Sequence, residues 1–329
     1  MKIVGVTLTG FAKYAEIFKR IDFNTLVVEE AGEVLESNLI AVLSKQINHL
    51  ILIGDHQQLK PHMECYDLEV KFRAIERLIK NGLEYATFKY QRRMKSKFAD
   101  FIRLIYQDYQ DHTSIQEQNK IEIEGIKTDL VFFNHRHKED EKLLSSSKSN
   151  KFEAKMILRM VEYLLTNGYK GEQITVLTTY LKQAQYIKNN VNKMQEYSQQ
   201  IIIKEKKMIQ YYYLQLDRTL IINQVLLQQI IEARLGLYIF GNFGFIEECI
   251  KDHLIKQHQQ RNPDISDLWL RIIDLARQKG VIQNYIELKY HNIDTKIYEE
   301  KDWDQVKGCG CTYICNTQLC FDSIQYQTI

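Results

Sequence analysis

Two short, largely apolar runs near the amino terminus constrain the fold of this chain more than any other feature. The first is Thr25–Val28 and the second is His49–Ile53. Each has the length of a strand and is rich in branched aliphatic side chains, and residues with helical spacing lie between them. Continuous apolar strands that alternate with helices are typical of a parallel sheet with both faces covered. The sequence therefore predicts an α/β fold.

A pair of carboxylates, Glu29 and Glu30, follows the first of these runs. At the end of a strand in a nucleotide-hydrolysing sheet, one acid helps to hold Mg²⁺, usually through water, and the next can polarise an attacking water molecule. An acidic pair in this position also occurs as a solvated surface turn. Taken alone, the pair leaves both interpretations open.

The second run ends in Gly54 and the polar residues 55–58. The amide of Gln58 can donate to a phosphate oxygen and accept from water, which suits a sensor of a γ-phosphate. A polar turn closed by Pro61 is the alternative. Because the two polar segments follow neighbouring strands about one βα unit apart, we expect them at the edge where open α/β sheets bind ligands.

Together the two segments, EEAGEVLE and LILIGDHQQLKP, resemble motifs II and III of the superfamily 1 helicases. They are similar to the DNA2/NAM7 group, which includes the nonsense-mediated-decay helicase, and within it to helicases that carry NFX-type zinc fingers. The resemblance implies RecA-like P-loop NTPase domains that use ATP and Mg²⁺. It assigns the general base to Glu30, the Mg²⁺ acid to Glu29, the γ-phosphate sensor to Gln58, and nucleotide contacts to Gly54 and Asp55.

The segment YQRRM over residues 90–94 resembles the QYRM-type motif of the same family. In that motif an arginine reaches the γ-phosphate, which assigns this role to Arg93 and places Gln91 at the nucleotide. Arg92 stands where relatives carry an aromatic residue that stacks on adenine, and an arginine can also stack on a base. Without the family context, a solvated basic turn would be the preferred interpretation of the two arginines.

Two further segments resemble family regions that contact the nucleic-acid backbone. VGVTLTG over residues 4–10 contributes Thr7 and Thr9, and ITVLTTYLKQ over residues 174–183 contributes Thr178 and Thr179. Contacts to phosphates fix the register of a nucleic acid without reading its sequence. The resemblance implies RNA as the partner, with RNA-silencing or RNA-surveillance proteins as further partners. A plain strand end with capping threonines is the alternative for the second segment.

The carboxyl-terminal tail contains a cysteine cluster. Thiolates a few residues apart can bind zinc tetrahedrally, and in an intracellular chain such a cluster favours metal over disulfides. The stretch GCGCTYICNTQLC resembles the opening of an NFX-type finger, but no histidine follows it, so free cysteines are the alternative. The candidate zinc ligands are Cys309, Cys311, Cys315 and Cys320.

Three departures from the family pattern bear on activity. The sequence contains no G-x-x-x-x-G-K-[ST] loop, which in relatives holds the β- and γ-phosphates. ARLGLYIFGN over residues 233–242 resembles the region around motif VI, but Glu232 stands where relatives place an arginine that faces ATP, and an anion there should repel a triphosphate. Residues 204–232 lack motif V. We hypothesise that they are read in the wrong frame or from an unspliced segment, and an intact in-frame transcript would refute this.

Composition excludes little. The chain has 329 residues and a formal net charge of +2, so no global basic field indicates a nucleic-acid partner. No run of about 18 apolar residues occurs, so a membrane span is not expected. The first residues lack a signal-peptide layout, which favours an intracellular protein of the cytoplasm or nucleus.

We predict four regions: residues 1–84 as the carboxyl-terminal half of a first RecA-like domain, 85–250 as a second, 251–305 as a helical linker, and 306–329 as the start of a zinc finger. Within them we expect a strand over 2–8 and helices over 34–45 and 266–290. Parallel sheets flanked by helices would thus be followed by a helical segment and a cysteine-rich tail.

The family implies RNA-stimulated ATP hydrolysis that moves or unwinds RNA. The chain resembles an amino-terminally truncated member, and without the phosphate loop we do not expect it to hydrolyse ATP. A non-catalytic fragment that binds RNA or protein is the alternative. A metal-dependent nuclease that uses Glu29, Glu30 and Asp55 as ligands is a third interpretation, but it leaves Gln58 and the YQRRM segment without a role.

Overall fold

A computed structural model describes residues 3–55, 74–106, 108–140, 147–178, 180–191, 202–205, 233–257, 266–290 and 293–306. The chain divides into two compact units, residues 1–88 and residues 89–329. The assignment of the four predicted regions stays a prediction. Gln58, Thr179 and the four cysteines of the tail lie outside the described residues.

The first unit is built on a two-stranded parallel sheet. β1 (Thr25–Val28) pairs with β2 (His49–Leu52), and Val28 lies opposite Leu52. Buried side chains that include Phe11, Val28 and Leu39 join the sheet to its helices. These helices are α1 (Leu8–Lys13), α2 (Ala15–Phe18), α3 (Glu36–Ile40) and α4 (Ala74–Lys80), with a 3-10 turn at Ala31–Glu33. The predicted pair of parallel strands is thus confirmed.

Three expectations for this unit are corrected. The strand expected over 2–8 is not formed in its described part, because Thr7 caps α1: its Oγ1 accepts a hydrogen bond from Gly10 N at 3.0 Å. The helix expected over 34–45 is limited to α3, since apolar spacing does not fix where a helix ends. One face of the sheet, with Val27 and Ile51, is exposed rather than covered.

The second unit contains the remaining strands and helices. The strands are β3 (Tyr90–Gln91), β4 (Gln110–Asp111), β5 (Leu130–Asn134), β6 (Thr175–Thr178), β7 (Ile202–Glu205), β8 (Leu237–Gly241), β9 (Ile282–Gln283), β10 (Ile286–Tyr290) and β11 (Ile293–Ile297). The helices are α5 (Ser96–Ile102), α6 (Ile115–Lys120), α7 (Lys151–Thr166), α8 (Leu181–Val191), α9 (Phe243–Gln257) and α10 (Ser266–Gln278), with 3-10 turns at Gly171–Gln173 and Glu300–Val306.

Parallel pairing dominates this unit. β5 lies between β8 and β9 in a three-stranded parallel sheet, and β3 with β4 and β6 with β7 form parallel pairs. Successive side chains of β5 point to opposite faces, and both faces are covered. Phe132 packs in a cluster with Phe98 and Trp269, whereas Phe133 packs with Met156 in a second cluster. The α/β architecture predicted from the sequence is confirmed.

The helix expected over 266–290 is wrong beyond Gln278, where α10 ends. β9 follows, and β10 pairs with β11 as an antiparallel hairpin. The segment IELKY alternates apolar and polar residues, which is the period of a half-buried strand and not of a helix, and IDTKI is rich in β-branched residues. The predicted linker 251–305 is therefore not simply helical, and Trp269, Ile286 and Trp303 bury it against the rest of the unit.

None of the helices in the described ranges combines the length and the apolar character that a membrane span requires.

An ion-paired carboxylate links α9 to α10 and predicts acid sensitivity. Hydrogen bonds from Arg277 and Lys251 lower the pKa of Glu247 from 4.5 to about 2. Because this pKa is lower in the folded chain, the stabilisation is present above pH 4.5 and is lost as the pH falls towards 2. We expect Glu247→Gln to lower the melting temperature at neutral pH and to converge with the native chain in acid. Salt should shrink the difference, since solvent screens this rim pair.

The matched control is Glu248→Gln, because Glu248 is exposed and forms no ion pair with another described residue. Melting temperatures of the three proteins are measured over a pH series. An equal loss for both variants, or a Glu247→Gln difference that does not change with pH, would contradict the expectation.

Candidate functional site

The carboxyl ends of β1 and β2 bring four of the predicted site residues to one edge of the sheet. The backbone of the two ends is joined, because Ala31 N donates to Ile53 O at 2.9 Å and Ile53 N donates to Val28 O at 2.9 Å. Glu29 and Glu30 lie on one side of this junction, and Gly54 and Asp55 continue from the other. We call these residues, 29–32 and 53–55, the strand-end edge.

Glu30 has an unusual backbone conformation. With φ 55° and ψ 36° it lies in the left-handed region, and it is the only non-glycine residue of the described ranges with positive φ. That conformation costs roughly 1–2 kcal/mol for an L-residue. It is held because Glu33 N donates to Glu30 O at 2.9 Å and Ala31 N is bonded to Ile53. Strained residues cluster at functional sites, so the turn favours a role for this exposed carboxylate.

Two glycines allow the strand ends to approach. A Cβ on Gly54 would lie 2.5 Å from Gly32 N and 2.7 Å from Ala31 N, and a Cβ on Gly32 would collide with the Asp55 carbonyl. The sequence therefore needs glycine at both positions for backbone contact, not for positive φ. The resemblance also assigns a nucleotide contact to Gly54, and this packing does not test that assignment.

The strand-end edge offers only oxygen ligands from side chains, from Glu29, Glu30 and Asp55. Mg²⁺ prefers oxygen, and it is usually held by one or two carboxylates together with substrate phosphates and water. Within the described ranges no group of three or more His, Cys, Asp or Glu side chains could hold a metal ion by itself. The side-chain donors of the strand-end edge are thus oxygen atoms, the ligand type that Mg²⁺ prefers.

Gln91 shapes the YQRRM turn. Its side chain is buried, its Oε1 accepts from Arg93 N and Met94 N at 3.0 Å each, and its Nε2 donates to Met94 O at 2.8 Å and to Asp111 Oδ1 at 2.6 Å. The amide thus uses all of its hydrogen-bonding positions within the protein. The sequence interpretation placed Gln91 at the nucleotide, whereas the structure engages it in fixing the backbone that carries the two arginines.

The two arginines of this turn are exposed and differ in their contacts. Arg92 Nη2 lies 2.9 Å from His112 Nε2, while His112 Nδ1 accepts a hydrogen bond from Ser114 N at 3.2 Å and lies 3.0 Å from Ser114 Oγ. The Arg93 guanidinium has no hydrogen bond or ion pair to any other described residue. It is therefore available to an anion.

Gln118 was missed by the sequence interpretation. Its Nε2 donates to Arg93 O at 2.6 Å and to Arg234 O at 3.0 Å, so it joins the YQRRM turn to the segment that resembles motif VI. No local pattern signals this contact, because Arg234 lies 116 residues further along the chain.

The network around Gln91 leads to a stability prediction. Gln91→Leu keeps the size of the side chain but removes the partner of the backbone groups of Arg93 and Met94, while Asp111 keeps its ion pair with Arg103. We expect the free energy of unfolding to fall by about 2 kcal/mol, since each buried polar group left unsatisfied costs roughly 1–3 kcal/mol. Urea denaturation of the variant and of the control Gln116→Leu, which alters an exposed side chain, checks this. Equal stability of the two variants would count against the assigned network.

The threonines assigned to nucleic acid occupy different environments. Thr7 caps α1 and is exposed, as is Thr9 in the first turn of that helix. Thr178 is buried at 5% exposure, and its hydroxyl donates to Tyr180 O at 3.3 Å. Thr7 thus keeps its hydroxyl proton available for a phosphate, while the hydroxyl of Thr178 is used locally.

Comparison with known proteins gives a consistent result. Two protein families, each described as an AAA domain, match residues 1–64 and residues 71–210. The chain is 31% identical over 343 residues to NFX1-type zinc finger-containing protein 1 of Mus musculus. The aligned region covers 97% of this chain and 17% of that protein. It is 34% identical over 190 residues to the helicase required for RNAi-mediated heterochromatin assembly 1 of Schizosaccharomyces pombe, covering 56% of this chain and 19% of that protein.

The ATP-dependent helicase NAM7 of Saccharomyces cerevisiae is 29% identical over 182 residues, covering 51% of this chain and 18% of that protein. The chain thus spans less than a fifth of the length of each of these relatives, at 17%, 19% and 18%.

Proposed function

The chain belongs to superfamily 1 of the helicases, and from this membership we propose that it supplies ATP-handling and RNA-contacting residues of an ATP-dependent RNA helicase. One observation carries the proposal: Glu29 and Glu30 meet Gly54 and Asp55 at the carboxyl edge of neighbouring parallel strands. Open α/β sheets bind their ligands at that edge.

In this proposal each residue has a defined part. Glu29 would help to hold Mg²⁺, and this ion would supply positive charge that neutralises the phosphates. Glu30 is the general base that accepts a proton from the attacking water. Arg93 contacts the γ-phosphate, and its exposed guanidinium, which forms no ion pair with another described residue, supports this role. Arg92 lies against the base, and Gln58 senses the γ-phosphate.

RNA is the proposed nucleic acid, contacted through Thr7, Thr9, Thr178 and Thr179. The name of the fission-yeast relative, a helicase required for RNAi-mediated heterochromatin assembly, supports RNA-silencing proteins as partners and the nucleus as one location. The zinc-finger name of the mouse relative supports zinc in the cysteine-rich tail. RNA-surveillance partners and a cytoplasmic location belong to the same proposal.

A second candidate function is non-catalytic binding of RNA or protein. It is favoured because the 329 residues contain no G-x-x-x-x-G-K-[ST] loop. That loop supplies the backbone N–H groups and the lysine that hold a triphosphate. Without them the carboxylates at the strand-end edge have no positioned phosphate to act on, so we propose that this chain by itself does not hydrolyse ATP.

Two assays on the purified chain test these proposals. RNA-stimulated phosphate release is measured for the native chain and for Glu30→Gln, and binding to a labelled single-stranded RNA is measured by fluorescence anisotropy. We expect RNA binding by both proteins and no phosphate release above background. Release that disappears in Glu30→Gln would refute the inactivity, and absence of RNA binding at low salt would refute the RNA-contacting role.

A further inference from the structure

The residues that follow β5 form a basic segment that the family comparison does not assign. They are His135, Arg136, His137 and Lys138, which we call the basic loop. Arg136, His137 and Lys138 are exposed, whereas His135 is buried and its Nε2 lies 2.9 Å from Glu153 Oε1. The buried histidine anchors the loop to α7 and leaves the other three side chains at the surface.

The backbone of the basic loop is held in place. Asn150 Nδ2 donates to His137 O at 3.1 Å, and His137 N donates to His135 Nδ1 at 3.2 Å. The ring of His137 stacks on Phe152 with 3.7 Å between centroids. A loop that is already ordered loses less conformational entropy when it binds a ligand. These contacts therefore favour a binding surface over a loosely solvated connection.

Hydrogen bonds also connect the basic loop to the segment that resembles the RNA-contacting TTY region. Asn150 N donates to Gln183 Oε1 at 2.9 Å, and Gln183 Nε2 donates back to Asn150 O at 3.1 Å. Lys182 N donates to Ser147 Oγ at 3.0 Å. Since Asn150 also holds His137, the loop and the start of α8, just after Thr178, belong to one bonded patch.

The patch carries cations that form no ion pair within the part of the chain that the structure describes. Arg136, Lys138, Lys151 and Lys182 form no ion pair with another residue of the described ranges, whereas Lys148 pairs with Glu139 at 2.6 Å. The whole chain has a net charge of only +2. The acidic residues Glu139 and Asp140 that follow the loop contact Lys148 and Ser149, so the positive charge of Arg136 and Lys138 is not paired by any described residue and suits an anionic ligand.

We propose that the basic loop binds two phosphates of a single-stranded RNA backbone through Arg136 and Lys138. The inference rests on the proposed RNA-contacting function and extends it to residues outside the motifs. Thr178 is buried and its hydroxyl donates to Tyr180 O, so this side chain does not itself offer a free hydroxyl proton to a phosphate. An arginine beside a lysine matches phosphate geometry and charge.

The test compares two double variants that remove equal charge. Arg136→Ala/Lys138→Ala alters the loop, and Lys170→Ala/Lys188→Ala alters lysines elsewhere, of which Lys170 precedes β6 at the end opposite Thr178. The affinity of each protein for a labelled single-stranded oligouridylate is measured by anisotropy over a series of KCl concentrations. Melting temperatures confirm that both variants are folded.

We expect the slope of log affinity against log salt to become shallower by about 1.4 in the loop variant, since each phosphate that a protein neutralises on a single strand adds roughly 0.7 to the slope. The control variant should keep the native slope. RNA binding by the native chain with equal slopes in all three proteins, or with equal changes in both variants, would overturn the assignment of the loop and leave the proposed function standing.

No RNA binding by the native chain would overturn both proposals. A further arm addresses an acidic protein as the ligand instead, with labelled polyglutamate as the probe. If the loop variant keeps native RNA affinity and slope but loses binding to polyglutamate, RNA is the wrong ligand and the inference fails.

Discussion

Gly54→Val should unfold the junction between β1 and β2, with a loss of unfolding free energy on the order of 3 kcal/mol or more. The new side chain would be placed 2.5 Å from Gly32 N and 2.7 Å from Ala31 N. Both neighbours are backbone atoms, so neither can turn away as a flexible side chain could. We expect hydrogen-exchange protection of the amides in β1 and β2 to fall sharply in the variant.

Gly5→Val is the matched control, because a Cβ at Gly5 has no atom within 4 Å. It introduces the same side chain into the same unit without a collision. Native protection of β1 and β2 in Gly54→Val, or an equal loss in Gly5→Val, would mean that the glycine contact does not hold the strand-end edge together.

Lys95→Met should destabilise the second unit by about 3 kcal/mol, because it removes the buried partner of an ion pair, leaves Ile121 O without this donor, and leaves Asp129 with only the exposed Lys97 as a cation. Lys95 is 1% exposed, and its Nζ donates to Asp129 Oδ2 at 2.5 Å and to Ile121 O. Methionine fills a similar volume but donates to neither. The two tryptophans, Trp269 and Trp303, are both buried in this unit and report its unfolding in denaturant by fluorescence.

Lys97→Met provides the control for the ion pair. Lys97 contacts the same carboxylate, Asp129, but its side chain is 45% exposed. An exposed pair contributes about 0–1 kcal/mol, so this variant should stay within that range of the native chain. Equal destabilisation by the two substitutions would show that burial of Lys95 does not decide the energy. Lys95 follows the YQRRM turn directly, so its loss should also loosen the turn that carries Arg93.

Local patterns predicted the parts of the fold that depend on local chemistry. β1, β2, β5 and β8 were predictable, because each is a short apolar run between polar or glycine residues. α7 was predictable too, since its apolar spacing is followed by Asn167-Gly168, a helix stop. In contrast, the strand expected over 2–8 is not formed, because Thr7 caps the helix that begins at Leu8. The β-branched residues of this segment do not reveal that capping hydrogen bond.

Some features of the candidate site could also be predicted from the sequence, and others could not. The positions of Glu29, Glu30, Gly54 and Asp55 at one edge follow from the rule that parallel strands end together. The left-handed turn at Glu30 depends on hydrogen bonds to the neighbouring strand and could not be predicted. The contacts of Gln91 and Gln118 join distant segments, so only the folded chain reveals them.

In the proposed function, the strand-end edge handles a metal-bound nucleotide. Paramagnetic broadening by Mn²⁺·ATP tests it most directly, because Mn²⁺ substitutes for Mg²⁺ at oxygen ligands and weak binding suffices. Backbone amide signals are recorded by NMR for the native chain and for Glu29→Ala, with Mg²⁺·ATP as the diamagnetic reference. We expect selective broadening of the amide signals of residues 29–32 and 53–55, and we expect this broadening to be lost in Glu29→Ala. Sharp signals there while other regions broaden, or broadening that Glu29→Ala leaves unchanged, would contradict it.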